Sequence, residues 1–238
     1  MALLDVKGVS KRFGGLLAVN SVDLAVNAGE LVGLIGPNGA GKTTLFNCIA
    51  GHFHADEGQI TFDGKPITGM PAEDICALGL VRTFQIVKII TRLTVLENVM
   101  VGAFLRHKNV ALARQQAREV IGLCGLVEVA DTPGRSLTIA YKKRLELARA
   151  LATQPKMILL DEVMAGLTPR ESRDAVDLIH RIRDTGITIL MVEHVMEIIM
   201  PISDRLVVLD SGSKIAEGTA AEVSRDDRVV QAYLGVKP

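Results

Sequence analysis

The sequence predicts an α/β fold, an open-sheet core interrupted by an inserted helical block. Three observations carry that prediction. The apolar run Leu31–Ile35 leads into the glycine-rich stretch Gly36-Pro37-Asn38-Gly39-Ala40-Gly41-Lys42-Thr43-Thr44 and then into the helical run Leu45–Ala50, which Gly51 stops. Two further apolar runs, Met157–Leu160 and Ile187–Val192, end abruptly in Asp161-Glu162 and Glu193-His194, as buried strands do when they reach a sheet edge. Between about Ile86 and Thr153 no strand pattern appears, only helical ones.

Strand, glycine loop and helix in that order are the context required by the phosphate-binding pattern G-x-x-x-x-G-K-[ST]. Gly36, Gly39 and Gly41 allow a tight turn that brings backbone N–H groups against phosphate oxygens. The helix behind the loop points its free N–H groups and positive dipole end at the same anion. Lys42 supplies a compact charge for the β- and γ-phosphates, and Thr43 offers a hydroxyl to Mg²⁺.

Along the chain, Leu3–Val6, Val19–Val26 and Leu31–Ile35 read as strands, with turns at Gly14-Gly15 and Asn27-Ala28-Gly29. Phe13 is an isolated aromatic among polar and glycine residues; it either rests on its own strand or stacks on a purine. Gln59–Phe62 alternates into Asp63-Gly64, a two-residue hairpin signal. Pro71 opens a short helix ending near Gly79, and Leu80–Phe84 is a candidate strand ending at Gln85. The helical block holds Val95–Phe104, opened by the capping box Thr94-x-x-Glu97, then Val110–Leu123, then roughly Tyr141–Thr153. After Met157–Leu160, the capping box Thr168-Pro169-x-Glu171 opens a helix with an apolar stripe at Ala175, Leu178, Ile179 and Ile182. Leu206–Leu209 and Lys214–Glu217 flank the turn at Asp210-Ser211-Gly212-Ser213, and Thr219-x-x-Glu222 caps a final helix.

Composition narrows the function classes. Of 238 residues, 27 are Lys or Arg and 27 Asp or Glu, so the formal net charge is zero, and aromatics make up 3%. Neither the charge signature nor the stacking surface of a nucleic-acid binder is present. Cys48, Cys76 and Cys124 are dispersed, without metal-ligand spacing, and read as small core residues of a reducing compartment. Asp5 and Lys7 fall where a secretory leader needs apolar residues, and the apolar stretch from Ile187 to Ile202 is too short and too charged to span a bilayer. A hydrophobic fraction of 48% nevertheless leaves apolar surface for a partner.

In open α/β sheets ligands bind beyond the carboxyl ends of the strands, and Lys42, Gln85, Asp161, Glu162 and His194 all fall just past such ends. An apolar strand ending in Asp is the second half of a phosphoryl-transfer site, with Asp161 binding Mg²⁺ directly or through water and Glu162 placed to orient and deprotonate the attacking water.

In order and spacing, the phosphate loop, Gln85, Leu137–Arg144, Asp161-Glu162 and His194 resemble the motifs of ATP-binding cassette (ABC) ATPase subunits, over nearly the whole chain. Arg82-Thr83-Phe84-Gln85, Thr94-Val95-Leu96-Glu97-Asn98-Val99, Ala165-Gly166-Leu167-Thr168-Pro169 and Val192-Glu193-His194 look most like the ATPase subunits of branched-chain amino acid importers. The resemblance implies a RecA-like P-loop NTPase core with an N-terminal antiparallel β-subdomain, spanning 1–85 and 154–238, and an inserted helical signature subdomain at 86–153. It implies that ATP and Mg²⁺ are the cofactors and that Gly36, Pro37, Asn38, Gly39, Ala40, Gly41, Lys42, Thr43, Thr44 and Thr138 bind nucleotide. Phe13 would then stack on adenine, and Thr43, Gln85 and Asp161 would serve the metal. Glu162, His194 and Gln85 would be catalytic, His194 through the γ-phosphate and Gln85 also as a sensor of the membrane partner.

The sequence departs from the family at three points. Leu137-Thr138-Ile139-Ala140-Tyr141 stands where Leu-Ser-Gly-Gly-Gln is usual, Val163 follows the catalytic Glu in place of Pro, and Thr168 replaces an Asp. The family sandwiches ATP between two subunits, so the resemblance implies a second ABC ATPase, paralogous or identical. It also implies two transmembrane permease subunits, an indirect solute-binding protein and no nucleic acid. The chain is expected on the cytoplasmic face of the inner membrane as a peripheral subunit. With its altered signature, a slower second site beside a competent first one is one reading and a tolerated family variant the other. Alternatives of different class are a cassette ATPase acting on protein or nucleic-acid partners and an importer for urea, amides or aromatic acids. A small-molecule kinase or GTPase would leave the helical block without a purpose.

Overall fold

The structure, a computed structural model, describes residues 2–83 and 88–234, and the chain divides into two compact units, Met1–Ile75 with Thr188–Pro238 and Cys76–Ile187.

The first unit holds two sheets. In the antiparallel one, β1 (Leu4–Phe13) lies between β2 (Leu16–Val26) and β4 (Glu57–Phe62), and β5 (Lys65–Pro66) closes the far edge. The sequence places a strand only over Leu3–Val6; the observed strand runs on to Phe13 because irregularities in register absorb Gly8, which sits at φ +57°. Asp63 and Gly64 both take positive φ, the paired left-handed turn that the twist of a two-residue hairpin needs.

The other sheet of this unit runs β10 (Ser213–Gly218), β9 (Arg205–Asp210), β3 (Leu31–Ile35), β8 (Thr188–Val192). β3 is parallel to both β8 and β9 and all five of its residues are buried, so its sequence is continuously apolar rather than alternating. Helix α1 (Lys42–Ile49) follows β3 and buries Leu45, Phe46 and Ile49. Fully buried side chains such as Phe46 and Phe62 contribute roughly 1.5–3 kcal/mol each. Arg205 braces the strand starts, donating to Glu30 at 2.6 Å and also to Glu217 and the Ala25 carbonyl. Helix α7 (Met196–Ile202) has no side-chain N-cap and carries Pro201, so it lacks the capping signal that opens the helices after Thr94, Thr138, Thr168 and Thr219. Beyond α8 (Ala220–Val223), capped by Thr219 as expected, comes a further helix, α9 (Asp227–Leu234).

In the second unit β6 (Leu80–Arg82) pairs in parallel with β7 (Met157–Asp161), in register Arg82 with Leu159. Helices α3 (Val95–Ala103), α4 (Val110–Leu123) and α5 (Ile139–Ala152) pack on one another, and Ala113, Ala117, Ala148 and Ala152 are fully buried among them. Gly102 permits the approach of α3 to α5: a Cβ there would stand 2.3 Å from the Arg149 carbonyl oxygen. Helix α5 starts at Ile139 rather than Tyr141 because the Thr138 side chain caps it. Helix α6 (Pro169–Asp184) opens with both hydrogen bonds of its capping box formed and buries Leu178, Ile179 and Ile182. α2 (Ala72–Leu78) joins the two units along the chain. No helix among the described residues is long and apolar enough to cross a membrane.

Candidate nucleotide site

The glycine loop leaves β3 at its carboxyl end. Gly36 has φ +147°, and a Cβ there would lie 2.0 Å from the Leu209 carbonyl oxygen; Gly41 has φ +96°, and its Cβ would lie 2.3 Å from that of Ala18. Any side chain at either position forces the backbone to shift, so the loop is sewn tightly onto β9 and β2 by its glycines. Asn38 and Gly39 form its exposed tip, with Pro37 and Thr44 half-buried and Ala40 buried. Lys42 is 5% exposed, and its ammonium donates to the carbonyls of Gly36 at 2.7 Å and Pro37 at 2.9 Å. Helix α1 has Gly41 at its N-cap and no side-chain cap bond, while Thr43 in its first turn is exposed. Uncapped first-turn amides, a fixed dipole end and a lysine are what a polyphosphate needs.

β8 runs beside β3 with Leu34 level with Val192, so Glu193 and His194 emerge at the same end of this sheet as the phosphate loop. Glu193 is 2% exposed, whereas His194 is exposed. Phe13 ends β1 with 43% of its surface exposed; its ring meets Phe53 edge-on at 5.3 Å, and the Lys11 ammonium sits 5.6 Å from its centroid. Lys11 is in turn held by Asp56 at 2.8 Å. The ring therefore leans on Phe53, a residue 40 positions away that sequence reading did not single out.

In the second unit Asp161 terminates β7 and is 1% exposed. Its carboxylate accepts from Arg82 at 2.6 Å, and its N–H donates to Thr83 Oγ1 at 3.3 Å. Glu162 takes φ +50°, a left-handed conformation that costs a non-glycine residue about 1 kcal/mol. Lys143 on α5 bonds this bend, donating to the carbonyls of Glu162 at 3.2 Å and Val163 at 3.1 Å. Thr138 is exposed at the N-cap of α5, where its hydroxyl accepts from Tyr141 N–H at 3.4 Å, and Ile139 beside it is 59% exposed. Gln85 lies outside the described residues.

Sequence reading named Arg82 and Lys143 only as members of the stretches Arg82–Gln85 and Leu137–Arg144 and gave neither a role, because their partners Asp161 and Glu162 lie 79 and 19 residues along the chain.

The donor chemistry fits the expected groups. The loop offers backbone N–H groups and a lysine to phosphates, and Thr43 and Asp161 are hard oxygen donors suited to Mg²⁺. Among the described residues no cluster of three or more His, Cys, Asp or Glu side chains gathers to hold a metal ion.

A buried parallel strand, a glycine cradle and an uncapped helix define a phosphate-loop nucleotide-binding protein. The profile of the ABC transporter family matches residues 19–165, and that of the branched-chain amino acid ATP-binding cassette transporter matches residues 213–237. The chain is 41% identical to the high-affinity branched-chain amino acid transport ATP-binding protein LivG of Salmonella typhimurium, over 98% of each chain. It is 39% identical, again over 98% of each, to the corresponding protein BraF of Pseudomonas aeruginosa. Among solved structures, a nucleotide-free ATP-binding cassette from an ABC transporter superposes with a TM-score of 0.89 at 32% identity, covering 99% of this chain and 100% of that one. The chain belongs to the ABC transporter family, as one of its ATP-hydrolysing, ATP-binding cassettes.

Proposed function

We propose that the chain is the ATP-hydrolysing subunit of an importer of branched-chain amino acids. The observation that carries this reading is the end-to-end likeness, 98% of both chains, to a branched-chain amino acid transport ATP-binding protein. The closing residues 213–237 match the profile specific to that class, which favours it over cassettes for other solutes.

In this reading Phe13 stacks on the adenine, and the amides of Gly36 to Thr44 with the Lys42 ammonium bind the phosphates. Thr43, Asp161 and Gln85 would hold Mg²⁺, whose charge would offset that of the phosphates. Glu162 accepts the proton of the attacking water, and His194 donates a hydrogen bond to the γ-phosphoryl oxygens. Thr138 and the first turn of α5 serve the nucleotide of a second cassette, identical or paralogous. Ile139 occupies a place where the family keeps glycine, so the site built on this signature turns over more slowly. The helical segment 86–153 transmits closure of the pair to two permease subunits, fed by a solute-binding protein, with the cassette peripheral on the cytoplasmic face of the membrane.

Glu162→Gln tests the assignment. The variant should bind ATP with unchanged affinity while its hydrolysis falls by about a hundredfold or more. Unchanged hydrolysis would remove Glu162 from its role. Full activity of the purified chain as a homodimer would refute the slow-site reading while leaving the ATPase assignment in place.

A further inference from the structure

Arg82 and Asp161 form an enclosed ion pair, with side chains 6% and 0% exposed and nitrogen and oxygen 2.6 Å apart. Arg82 stands level with Leu159 across the β6–β7 pair, and its guanidinium reaches two residues forward to the carboxylate that ends β7. Thr83, the next residue, is tied to the same strand: its N–H donates to Leu159 O at 3.0 Å, and its hydroxyl accepts from Asp161 N–H. The arginine is thus held in place by the backbone and hydroxyl bonds of the residue beside it.

A carboxylate removed from water needs a countercharge, and here the protein supplies it internally. A divalent cation arriving at Asp161 meets a guanidinium already on that carboxylate. Adding a divalent cation to this neutral pair leaves two positive charges on the three groups together, a repulsion between cation and guanidinium that other anions must offset. The anionic oxygens of a nucleotide reverse that balance.

We propose that Arg82 is the built-in counter-ion of Asp161 and makes metal binding there conditional on nucleotide. It is a positioning residue that acts through the carboxylate. This rests on the assignment of Asp161 to the metal made above.

The test is Mn²⁺ binding to the purified chain, followed by electron paramagnetic resonance with and without ADP. Wild type should bind Mn²⁺ saturably only with ADP. Arg82→Met should bind it without ADP, about tenfold tighter or more than wild type under the same conditions, and the added Asp161→Asn change should abolish that binding. Arg82→Lys, which retains a charge, should behave like wild type. The metal-free Arg82→Met protein should melt at a lower temperature than wild type, with Mn²⁺ alone closing the gap. If it does not fold unaided, recovery of soluble protein on refolding with Mn²⁺ carries the same meaning, and no recovery counts against the proposal. Identical Mn²⁺ binding by wild type and Arg82→Met, with an equal melting deficit with and without metal, would reduce the pair to a structural ion pair. If Asp161→Asn alone leaves Mn²⁺·ADP binding unchanged, the metal assignment itself fails instead.

Discussion

The Lys143 ammonium lies 3.2 Å from the main-chain oxygen of Glu162, on the turn where the backbone takes a left-handed conformation. A helix capped by Thr138 is thereby fastened to the residue assigned as the base. Lys143→Met should release that turn and lower kcat about tenfold or more, while leaving nucleotide affinity within about twofold, because an interaction that orients the base without touching ground-state substrate affects only the chemical step. Lys143→Arg should recover part of the rate. Steady-state ATP hydrolysis beside equilibrium binding of a fluorescent ADP analogue separates the two quantities.

The glycines of the phosphate loop differ in what surrounds them. A Cβ on Gly41 meets the Ala18 carbonyl oxygen at 2.3 Å, whereas one on Gly39 meets nothing within 4 Å. Both have positive φ, so each alanine carries a backbone cost of about 1 kcal/mol. Gly41→Ala adds a steric collision and should lose about 2–3 kcal/mol in all and much of its nucleotide binding. Gly39→Ala should stay near the lower figure. Urea unfolding midpoints of the two variants decide it.

The capping box of α6 predicts a pH dependence. The Thr168 backbone N–H and then its hydroxyl hold the Glu171 carboxylate below its ordinary pKa of 4.5. A depressed folded value means that the contribution to stability is complete above the unfolded value and is lost as pH falls through the folded one. Glu171→Gln should therefore be less stable than wild type at pH 7, and the difference should shrink below about pH 4. Urea midpoints at pH 7, 5 and 3.5 measure the trend.

Burial pushes the thiols of Cys48 up to about 11 and Cys124 up to about 12, and raises that of Cys76 as well. Cys48 and Cys124 are buried and Cys76 only partly so. At pH 8 an alkylating reagent should label Cys76 first in the native chain and the other two only on unfolding. Because a raised folded value favours the protonated thiol, this stabilisation is present below the unfolded thiol pKa and fades as pH rises toward the folded values. Mass-spectrometric counting of labelled thiols against urea concentration reads the order.

What was legible in the sequence was what is written locally. The capping boxes at Thr94, Thr168 and Thr219 all form, since each needs only a side chain to reach an amide three residues on. The Asp63-Gly64 hairpin and the strand before the phosphate loop follow from the same short range. The site's supports did not show, because they join distant segments: Arg82 and Asp161 are 79 residues apart, and Lys143 and Glu162 are 19 apart. Helix α7 escaped for another reason: it is only seven residues long, has no side-chain cap to punctuate its start and carries a proline near its end. β1 was cut short because Gly8 looks like a turn in sequence, yet functions as an irregularity inside a continuous strand.

The antiparallel sheet ends in a two-residue strand made of Lys65 and Pro66. A proline has no N–H to offer to a newcomer, and a lysine is unwelcome in a dry interface. At the opposite border Asn20 N–H is already committed to the Gly212 carbonyl at 2.8 Å. The Lys65–Pro66 margin is therefore a poor template on which a crowded neighbour could lay a strand and extend this sheet into a ribbon.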